Sequence, residues 1–245
     1  MRIVCGLQPV REAIRAHGAK LERVVVEAPR PPSPQLDALA RFAADQGATV
    51  ERKPRSDLDR MAQGARHQGA VAIAPELRVL ALSELTLGPD ALLVALDELE
   101  DPQNFGAIIR SAVAMGATAV MWPEHRSAPL TPATFRASAG AVEHATLCRV
   151  PALPHALETL RASEITVVGL DATGDVDIDR AALTGPVALV VGAEGKGLRK
   201  TVKRSCDVLA RLPMRGPLGS LNASVSIAIA LYEALRQRGG VGGDA

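Results

Sequence analysis

Hydrophobic and polar positions divide the chain into two blocks, each of which alternates between strand-like and helix-like patterns. In residues 1–76, short apolar runs predict strands at 21–26, 49–51 and 70–74. Helical periodicity predicts helices at residues 8–17, 35–46 and 56–61 between them. This block is therefore predicted to be a small α/β domain, and residues 77–90, where the pattern breaks down, are predicted to be a linker.

The second block, residues 91–245, contains longer uninterrupted apolar runs. "ALLVALD" at 91–97 and "VALVVG" at 187–192 are typical of strands that are buried on both faces of a parallel sheet. Further strands are predicted at residues 117–122, 146–150, 165–171 and 208–213, with helices at 105–115, 132–143, 154–162, 197–205 and 222–238. The pattern predicts a doubly wound α/β sheet, whose ligands usually lie beyond the carboxyl ends of the strands.

Composition and charge narrow the range of functions. The formal charge of the 245 residues is +1, so a nucleic acid would have to be bound by local patches. Residues 1–80 contain 13 Lys and Arg against 9 Asp and Glu, which places a mild basic excess in the first block. Aromatic residues make up 2% of the chain, which disfavours recognition of bases by stacking.

Three widely spaced cysteines favour neither a disulfide framework nor a zinc site, and they fit a reducing cytosol. The five histidines form no metal-binding pair, so no metal site is expected. The first residues do not build up a signal-peptide core, and the longest uncharged apolar stretch, residues 223–232, is too short to cross a membrane. We expect a cytoplasmic protein.

The loop after the first strand of the second block reads "DELEDPQNFGAIIRSA", residues 97–112. Asn104 is predicted to be the N-cap of the following helix, and the long side chain of Arg110 is predicted to reach back toward the same end. An amide, a guanidinium and free helical N–H groups in one place suit a phosphate or a ribose. The structural alternative is a capped helix with a surface arginine.

A glycine-rich turn follows the strand "VALVVG" and contains Gly192, Glu194, Gly195 and Gly197. Its spacing matches neither the dinucleotide-binding motif nor the P-loop. Exposed backbone N–H groups in such a turn could cradle a nucleoside, although a strand-to-helix turn is also common as a purely structural element. Glu194 in the middle of the turn favours a function.

A third loop, "RGPLGSLN" at residues 215–222, leads into the last helix. Ser220 or Asn222 can cap that helix, and either could also bind a ligand at the carboxyl edge of the sheet. The helix has small residues on all sides, which allows close packing in a tight core or in a subunit interface.

Taken together, "NFGAIIRSA", "VVGAEGKGL" and "LPMRGPLGSLNASVSIAIALYE" resemble the three signature motifs of the SpoU/TrmH family of RNA ribose 2′-O-methyltransferases. "TFRASAGAVEH" is similar to the segment that connects them, and "VCGLQPVREAI" and "GARHQGAVA" resemble the substrate-binding domain of the branch that methylates a guanosine in 23S ribosomal RNA. The resemblance implies a deep trefoil knot in the C-terminal part, an L30e-like RNA-binding domain at the front, S-adenosylmethionine as methyl donor, and a homodimer with the final helix near its interface.

Matching the motifs position by position implies functional residues. Gly192, Leu212 and Leu221 are expected to contact S-adenosylmethionine, and the pocket around it is expected to be lined by Glu194, Gly195, Met214 and Asn222. The expected catalytic residues are Arg110, Asn104, Glu194, Ser220 and Asn222. Because a guanidinium is a poor proton acceptor, we hypothesise that Arg110 holds the target phosphate and stabilises developing alkoxide charge.

Alternative functions make different demands on the sequence. A Rossmann-type nucleotide enzyme would place its glycine-rich turn after the first strand of the domain, whereas here it follows a late strand. A catalytically silent RNA-binding module would not need the five polar residues together. The same chemistry on transfer RNA, or on another ribosomal site such as one that confers antibiotic resistance, stays open. The expected partners are RNA, most specifically 23S ribosomal RNA, and a second copy of the chain, with no DNA and no membrane.

Overall fold

The computed structural model of the chain describes residues 1–28, 31–128, 130–217 and 219–240. As far as they are described, residues 1–78 and 130–144 form one unit, and residues 79–129 and 145–245 form another. Leu218, in the predicted "RGPLGS" loop, lies outside the described residues. The division of the chain at residues 77–90 remains a prediction.

The described residues form strands and α-helices that are numbered here in chain order. The strands are β1 (Arg2–Cys5), β2 (Arg23–Glu27), β3 (Val50–Lys53), β4 (Ala70–Ala74), β5 (Val79–Leu80), β6 (Leu92–Asp97), β7 (Ala119–Pro123), β8 (Leu147–Val150), β9 (Thr166–Leu170), β10 (Val176–Asp177), β11 (Val187–Gly192) and β12 (Val208–Arg211). The α-helices are α1 (Leu7–His17), α2 (Pro34–Asp45), α3 (Arg55–Ala62), α4 (Pro102–Ala114), α5 (Pro132–Ala137), α6 (Leu153–Ala162), α7 (Lys200–Arg204) and α8 (Ala223–Gln237). Short 3₁₀ turns occur at Gly18–Lys20, Leu82–Glu84, Ala141–His144 and Ile178–Arg180.

In the sheet of the first unit, the successive valines of β2 point to opposite faces. The strand order of this sheet is β1-β4-β2-β3, with an antiparallel pair on each side of β4 and a parallel pair between β2 and β3. Val24 and Val26 face a core shared with α1 and α2, and Val25 faces the opposite side, where it packs with Leu58 of α3. Successive strand residues point to opposite faces, so a single strand serves both cores.

Residues 130–144 pack within this first unit, although their sequence lies between strands of the second. Glu143, almost fully buried, binds the guanidinium of Arg2 with both oxygens, and its Oε2 lies 2.9 Å from His17 Nε2. His144 Nε2 lies 3.0 Å from Glu12 Oε2 of α1. Gly140 fits closely against the same helix, since a Cβ at this position would lie 2.8 Å from Cα of Pro9. One buried ion pair, two contacts between a histidine and a carboxylate, and close packing therefore fix this segment.

The second unit contains an eight-stranded sheet in which every strand pair is parallel. Its order is β10-β12-β9-β11-β6-β7-β8-β5, so the late strands β11 and β12 lie between earlier ones. The central strands β6 and β11 are buried along their whole length, as continuous apolar runs require. This confirms the predicted parallel α/β class. The interleaved order is compatible with a knot, which remains a prediction.

Parallel strands bring their carboxyl ends to one edge of the sheet, and this edge positions the candidate site. Gly192, the last residue of β11, pairs in register with Asp97, the last residue of β6. The loops that follow β6, β9, β11 and β12 begin at neighbouring positions of this edge. The three loops that were predicted to carry function therefore lie at the same edge of the sheet, as the prediction of ligand binding beyond the carboxyl ends requires.

Candidate functional site

Three polar side chains from three loops form one hydrogen-bonded cluster. Asn222 Nδ2 donates to Asn104 Oδ1 at 2.9 Å and to Glu194 Oε2 at 3.3 Å. Asn104 Nδ2 also donates to Glu194 Oε2, at 3.2 Å. The sequence separations are 118 residues for the two asparagines and 90 for Asn104 and Glu194. The fold thus joins one predicted residue from each motif.

Asn104 reaches the cluster from inside the first turn of α4, and its predicted role as N-cap is wrong. Asp101 is the N-cap, because its carboxylate accepts the backbone N–H groups of Gln103 and Asn104. Pro102 occupies the first helical position, where its missing N–H has no consequence. With the cap supplied by Asp101, the Asn104 side chain is buried and free to bind Asn222 and Glu194.

Asn222 has two roles at once. Its Oδ1 accepts the backbone N–H of Ser224 at 2.8 Å, so Asn222 is the N-cap of α8. Its Nδ2 points to Asn104 and Glu194. Ser220, the other capping candidate, is exposed and lines the pocket described below.

The glycine turn after β11 requires close backbone approach. A Cβ on Gly192 would lie 2.1 Å from the carbonyl carbon of Gly197, so no other residue fits there. Gly195 and Gly197 have φ angles of 76° and 64°, which favour glycine. The Gly197 N–H donates to the Ala193 carbonyl at 2.9 Å and closes the turn. Glycine is therefore needed for the shape of this loop.

An ion pair that the sequence analysis missed braces the same turn from β6. The buried carboxylate of Asp97 accepts the backbone N–H of Arg199 at 2.8 Å and its Nε at 2.7 Å. The Arg199 Nη1 also lies 2.9 Å from Glu98 Oε1. These contacts start α7 at Lys200 rather than at the predicted residue 197. The sequence feature that could have predicted this ion pair is an aspartate at the end of an otherwise apolar strand.

A pocket of about 300 Å³ lies beside the cluster and is formed by the loops at the carboxyl edge. Six of the seven residues predicted to surround a cofactor line it: Gly192, Glu194, Gly195, Leu212, Met214 and Leu221. The seventh, Asn222, does not line the pocket but donates a hydrogen bond to Glu194, which does. Met214 and Leu221 leave 36% and 40% of their surface exposed, which gives the pocket an apolar wall.

Asp171 and Lys203 also line this pocket, although neither was predicted from the sequence. The Lys203 Nζ lies 2.5 Å from Asp171 Oδ2, and Thr173 donates to Asp171 Oδ1 from both its backbone and its hydroxyl. Burial raises the pKa of Asp171, but these hydrogen bonds outweigh it and hold the pKa below its ordinary value. Asp171 directly follows β9, so the carboxyl-edge rule could have identified it.

Arg110 lies apart from the cluster in the described part of the chain. It is exposed on α4, and its guanidinium has no hydrogen bond to Asn104, Glu194 or Asn222. Glu194 binds the two asparagines instead. The exposed guanidinium is available to a ligand from solution or to a second copy of the chain.

Three further findings bear on functions that the sequence raised. The described residues contain no group of three or more His, Cys, Asp or Glu side chains arranged to hold a metal ion. Within the same residues, no helix is long and apolar enough to cross a membrane. His67 is buried, and its Nε2 lies 2.8 Å from Asp59 Oδ1.

A loop-lined pocket at the carboxyl edge of a parallel sheet, beside a cluster of two amides and one carboxylate, is the arrangement in which α/β enzymes bind nucleotide-like ligands. Residues 91–232 match the model of the SpoU rRNA Methylase family, and residues 3–80 match the model described as RNA 2′-O ribose methyltransferase substrate binding. The chain belongs to the SpoU rRNA methylase family, and it is an RNA methyltransferase of that family.

Individual relatives agree with this assignment. The chain is 40% identical over 242 residues to an uncharacterized tRNA/rRNA methyltransferase of Mycolicibacterium vanbaalenii. The alignment covers 96% of this chain and 76% of the relative. The SpoU methyltransferase AviRb of Streptomyces viridochromogenes superposes with a TM-score of 0.78 at 29% identity, over 97% of this chain and 90% of AviRb. A crystal structure of an RNA 2′-O ribose methyltransferase gives a TM-score of 0.78 at 30% identity, over 96% and 88% of the two chains. AviRb has also been solved in complex with its cofactor AdoMet.

Proposed function

We propose that this protein transfers a methyl group from S-adenosylmethionine to a ribose 2′-hydroxyl of RNA, and that the target is a guanosine of 23S ribosomal RNA. The supporting observation is the hydrogen-bonded cluster of Asn104, Glu194 and Asn222 beside the pocket of the glycine turn. The names of the relatives and the substrate-binding model of residues 3–80 support RNA as the substrate class.

The residues of the pocket fit S-adenosylmethionine. The tight turn at Gly192, where a Cβ would clash with Gly197, presents backbone groups that suit a nucleoside. Met214 and Leu221 offer apolar surface to its uncharged parts. When bound, this cofactor supplies an electrophilic methyl group on a sulfonium. We assign Gly192, Leu212 and Leu221 to contact with it.

The polar cluster is proposed to orient the target ribose. Both asparagine amides donate to Glu194 Oε2, which leaves Oε1 for a donor from the ligand. A carboxylate held by two amides is fixed in direction, and a hydroxyl that binds to it is positioned for in-line transfer. Asn104 and Asn222 position Glu194, and Ser220 lies where the cofactor and the nucleotide meet.

Arg110 is proposed to bind the phosphate of the target nucleotide and to stabilise alkoxide charge as the 2′-hydroxyl loses its proton. A guanidinium stays protonated at physiological pH and matches the geometry of a phosphate, so it suits these roles better than that of a base. Its exposure on α4 leaves it accessible to RNA.

A homodimer is proposed through the exposed face of α4 and α8. Val225, Ile229 and Tyr232 of α8 expose 46%, 40% and 48% of their surfaces. They line a shallow apolar groove together with small residues of both helices. Exposed apolar residues grouped in this way favour association with another protein surface. Arg110 is next to Ser111 of this groove, so the partner would lie near the proposed active site.

The proposed domain roles follow the same logic. Residues 1–76 would bind RNA, residues 77–90 would link the domains, and residues 91–245 would perform the transfer. Ribosomal RNA as the substrate would place the protein in the cytoplasm. Transfer RNA is the second candidate, and the name of the Mycolicibacterium relative includes both.

The test incubates the purified protein with methyl-labelled S-adenosylmethionine and unmodified transcripts of 23S ribosomal RNA or, separately, transfer RNA, and maps 2′-O-methyl positions. We expect a single guanosine in 23S ribosomal RNA. The Glu194→Gln variant, which keeps the shape of the side chain and removes its charge, is expected to lower transfer without unfolding the protein. Transfer to tRNA alone would show that tRNA, and not 23S ribosomal RNA, is the substrate. Transfer to neither RNA would overturn the proposed chemistry.

A further inference from the structure

The first unit contains a cavity of about 330 Å³ that the proposed reaction does not use. It lies between β1, the end of α3, the loop that follows α3, and α5. Its lining residues are Ile3, Cys5, Met61, Ala62, Gln63, Gly64, Ala65, Pro132 and Arg136. The walls are therefore largely apolar, with an amide, a thiol and a guanidinium as their polar groups.

Among the residues that line this cavity, Arg136 is the charged one. Arg136 is exposed, and the described residues provide no carboxylate to pair with it, whereas Arg2, Arg52 and Arg60 of the same unit each bind one. No Asp or Glu is among the lining residues. Arg66, which follows the lining residue Ala65, is also exposed. An anionic ligand at this cavity therefore meets the positive charge of Arg136 and no lining carboxylate.

The loop that forms one wall of the cavity is fixed by hydrogen bonds of His67 and Gln68. His67 is buried, with Nε2 2.8 Å from Asp59 and with Nδ1 accepting the N–H of Gly69 at 3.0 Å. The Gln68 Oε1 accepts the N–H of Leu7 at 3.3 Å. A loop fixed in this way loses little entropy when a ligand binds to it.

We propose that this cavity binds one unpaired nucleotide of the RNA substrate, with its base against Ile3 and Met61 and its phosphate on Arg136. This inference rests on the proposed function, because it assumes that the first unit binds RNA. Proteins read single-stranded RNA by inserting splayed bases into pockets, and a methionine thioether packs well against an aromatic base. A nucleotide joins a flat base to an anionic phosphate, so it matches both the apolar walls of the cavity and the guanidinium of Arg136.

The site is a composite of two stretches of sequence. Pro132 and Arg136 belong to residues 130–144, whereas the substrate-binding model covers residues 3–80. Arg2 binds Glu143 and lies 5.3 Å from the centre of the Phe135 ring, which holds α5 in position. Part of the RNA-binding surface is thus supplied by sequence that matches the methylase model.

The experiment measures binding of the full-length protein to an unmodified 23S ribosomal RNA transcript over a series of KCl concentrations. Arg136→Gln is compared with Arg41→Gln, which removes an exposed arginine of α2 outside the cavity. We expect Arg136→Gln to raise Kd roughly tenfold and to make the salt dependence of log Kobs shallower by roughly 0.7 to 0.9. Arg41→Gln is expected to leave Kd within about twofold.

A second readout reports on the cavity directly. Cys5 lines it, so bound RNA should slow alkylation of Cys5 by iodoacetamide, as measured by mass spectrometry at pH 9. At an RNA concentration near the wild-type Kd, this protection should be largely lost in Arg136→Gln. Equal effects of the two arginine variants, or unprotected Cys5 in a wild-type complex with RNA, would overturn the proposal. If the wild-type protein binds no RNA, the proposed function itself fails.

Discussion

The side-chain amide of Asn222 donates to the side-chain oxygen Oδ1 of Asn104, 118 positions away in sequence, at a distance of 2.9 Å. Through this bond the start of the last helix is tied to the start of α4, and both residues share Glu194 Oε2 as acceptor. The bond makes helix capping and the arrangement of the proposed active site interdependent.

Substitutions of Asn222 can separate these two roles. Asn222→Asp keeps a good N-cap for α8 but replaces the donating amide with a carboxylate facing Glu194, so stability should change little while methyl transfer falls by about 10²-fold. Asn222→Ala should also lose about 1 kcal/mol of stability through the missing cap. Thermal unfolding and single-turnover transfer measure the two effects. Normal turnover in Asn222→Asp would contradict the role given to the amide.

Arg110→Lys tests whether the planar guanidinium is needed. Lysine keeps the positive charge but cannot make two parallel hydrogen bonds to a phosphate, so we expect transfer to fall by about 10²-fold. Binding of S-adenosylhomocysteine, measured by calorimetry, should be unaffected because Arg110 does not line the pocket. Near-normal turnover with lysine would mean that charge alone suffices.

Asp171 should make stability depend on acid. Its lowered pKa means that the folded state favours the carboxylate, a contribution that is present above the unfolded-state pKa near 3.8 and is lost as pH falls through the lower folded-state pKa. The difference in unfolding free energy between the wild type and Asp171→Asn should therefore be largest near neutral pH and shrink below about pH 4. Urea titrations at several pH values check this. A constant difference would show that the ion pair with Lys203 adds no stability.

The cysteines should react slowly in the native protein. Burial raises the pKa of Cys206 to about 12 and that of Cys148 to about 11, and nearby Asp207 and Glu84 add to the two shifts. Since the thiolate is the reactive form, iodoacetamide at pH 8 should label Cys5 first and the other two only in denaturant. Peptide mass spectrometry gives the order. Rapid native labelling of Cys148 would indicate local opening of β8.

Disruption of the exposed face of α8 should dissociate the proposed dimer. Ile229→Asp places a charge in the apolar groove, and because Ile229 is exposed in the single chain, the fold should tolerate the change. Light scattering after gel filtration should give a monomer for Ile229→Asp and a dimer for the conservative Ile229→Val. A wild-type protein that is monomeric at micromolar concentration would exclude this interface.

Local pattern was sufficient to predict the buried strands. The runs "ALLVALD" and "VALVVG" predicted β6 and β11 within one residue at each end, because strands buried on both faces have no polar positions. Short elements were missed. Strand β1 has four residues, including an arginine and a cysteine, and β5 and β10 have two residues each, too few to show a period.

Distant contacts account for the other differences. The helix predicted at residues 132–143 ends at Ala137, since Gly140 must pass close to Pro9 of α1. For α7, the start is set by the bonds between Arg199 and Asp97, 102 positions away. In the site, the resemblance to the family's motifs predicted the members of the cluster but not that Asp101 would cap α4 in place of Asn104. No local pattern encodes the order in which strands insert into a sheet.

The position of residues 130–144 limits how this protein can be dissected. A fragment that stops at residue 78 would keep the complete four-stranded sheet but lose Glu143, and with it the carboxylate that Arg2 and His17 share. The first unit, which is proposed to bind RNA, is thus not one contiguous segment of sequence, and a chimera that exchanges it between relatives would have to move two segments together.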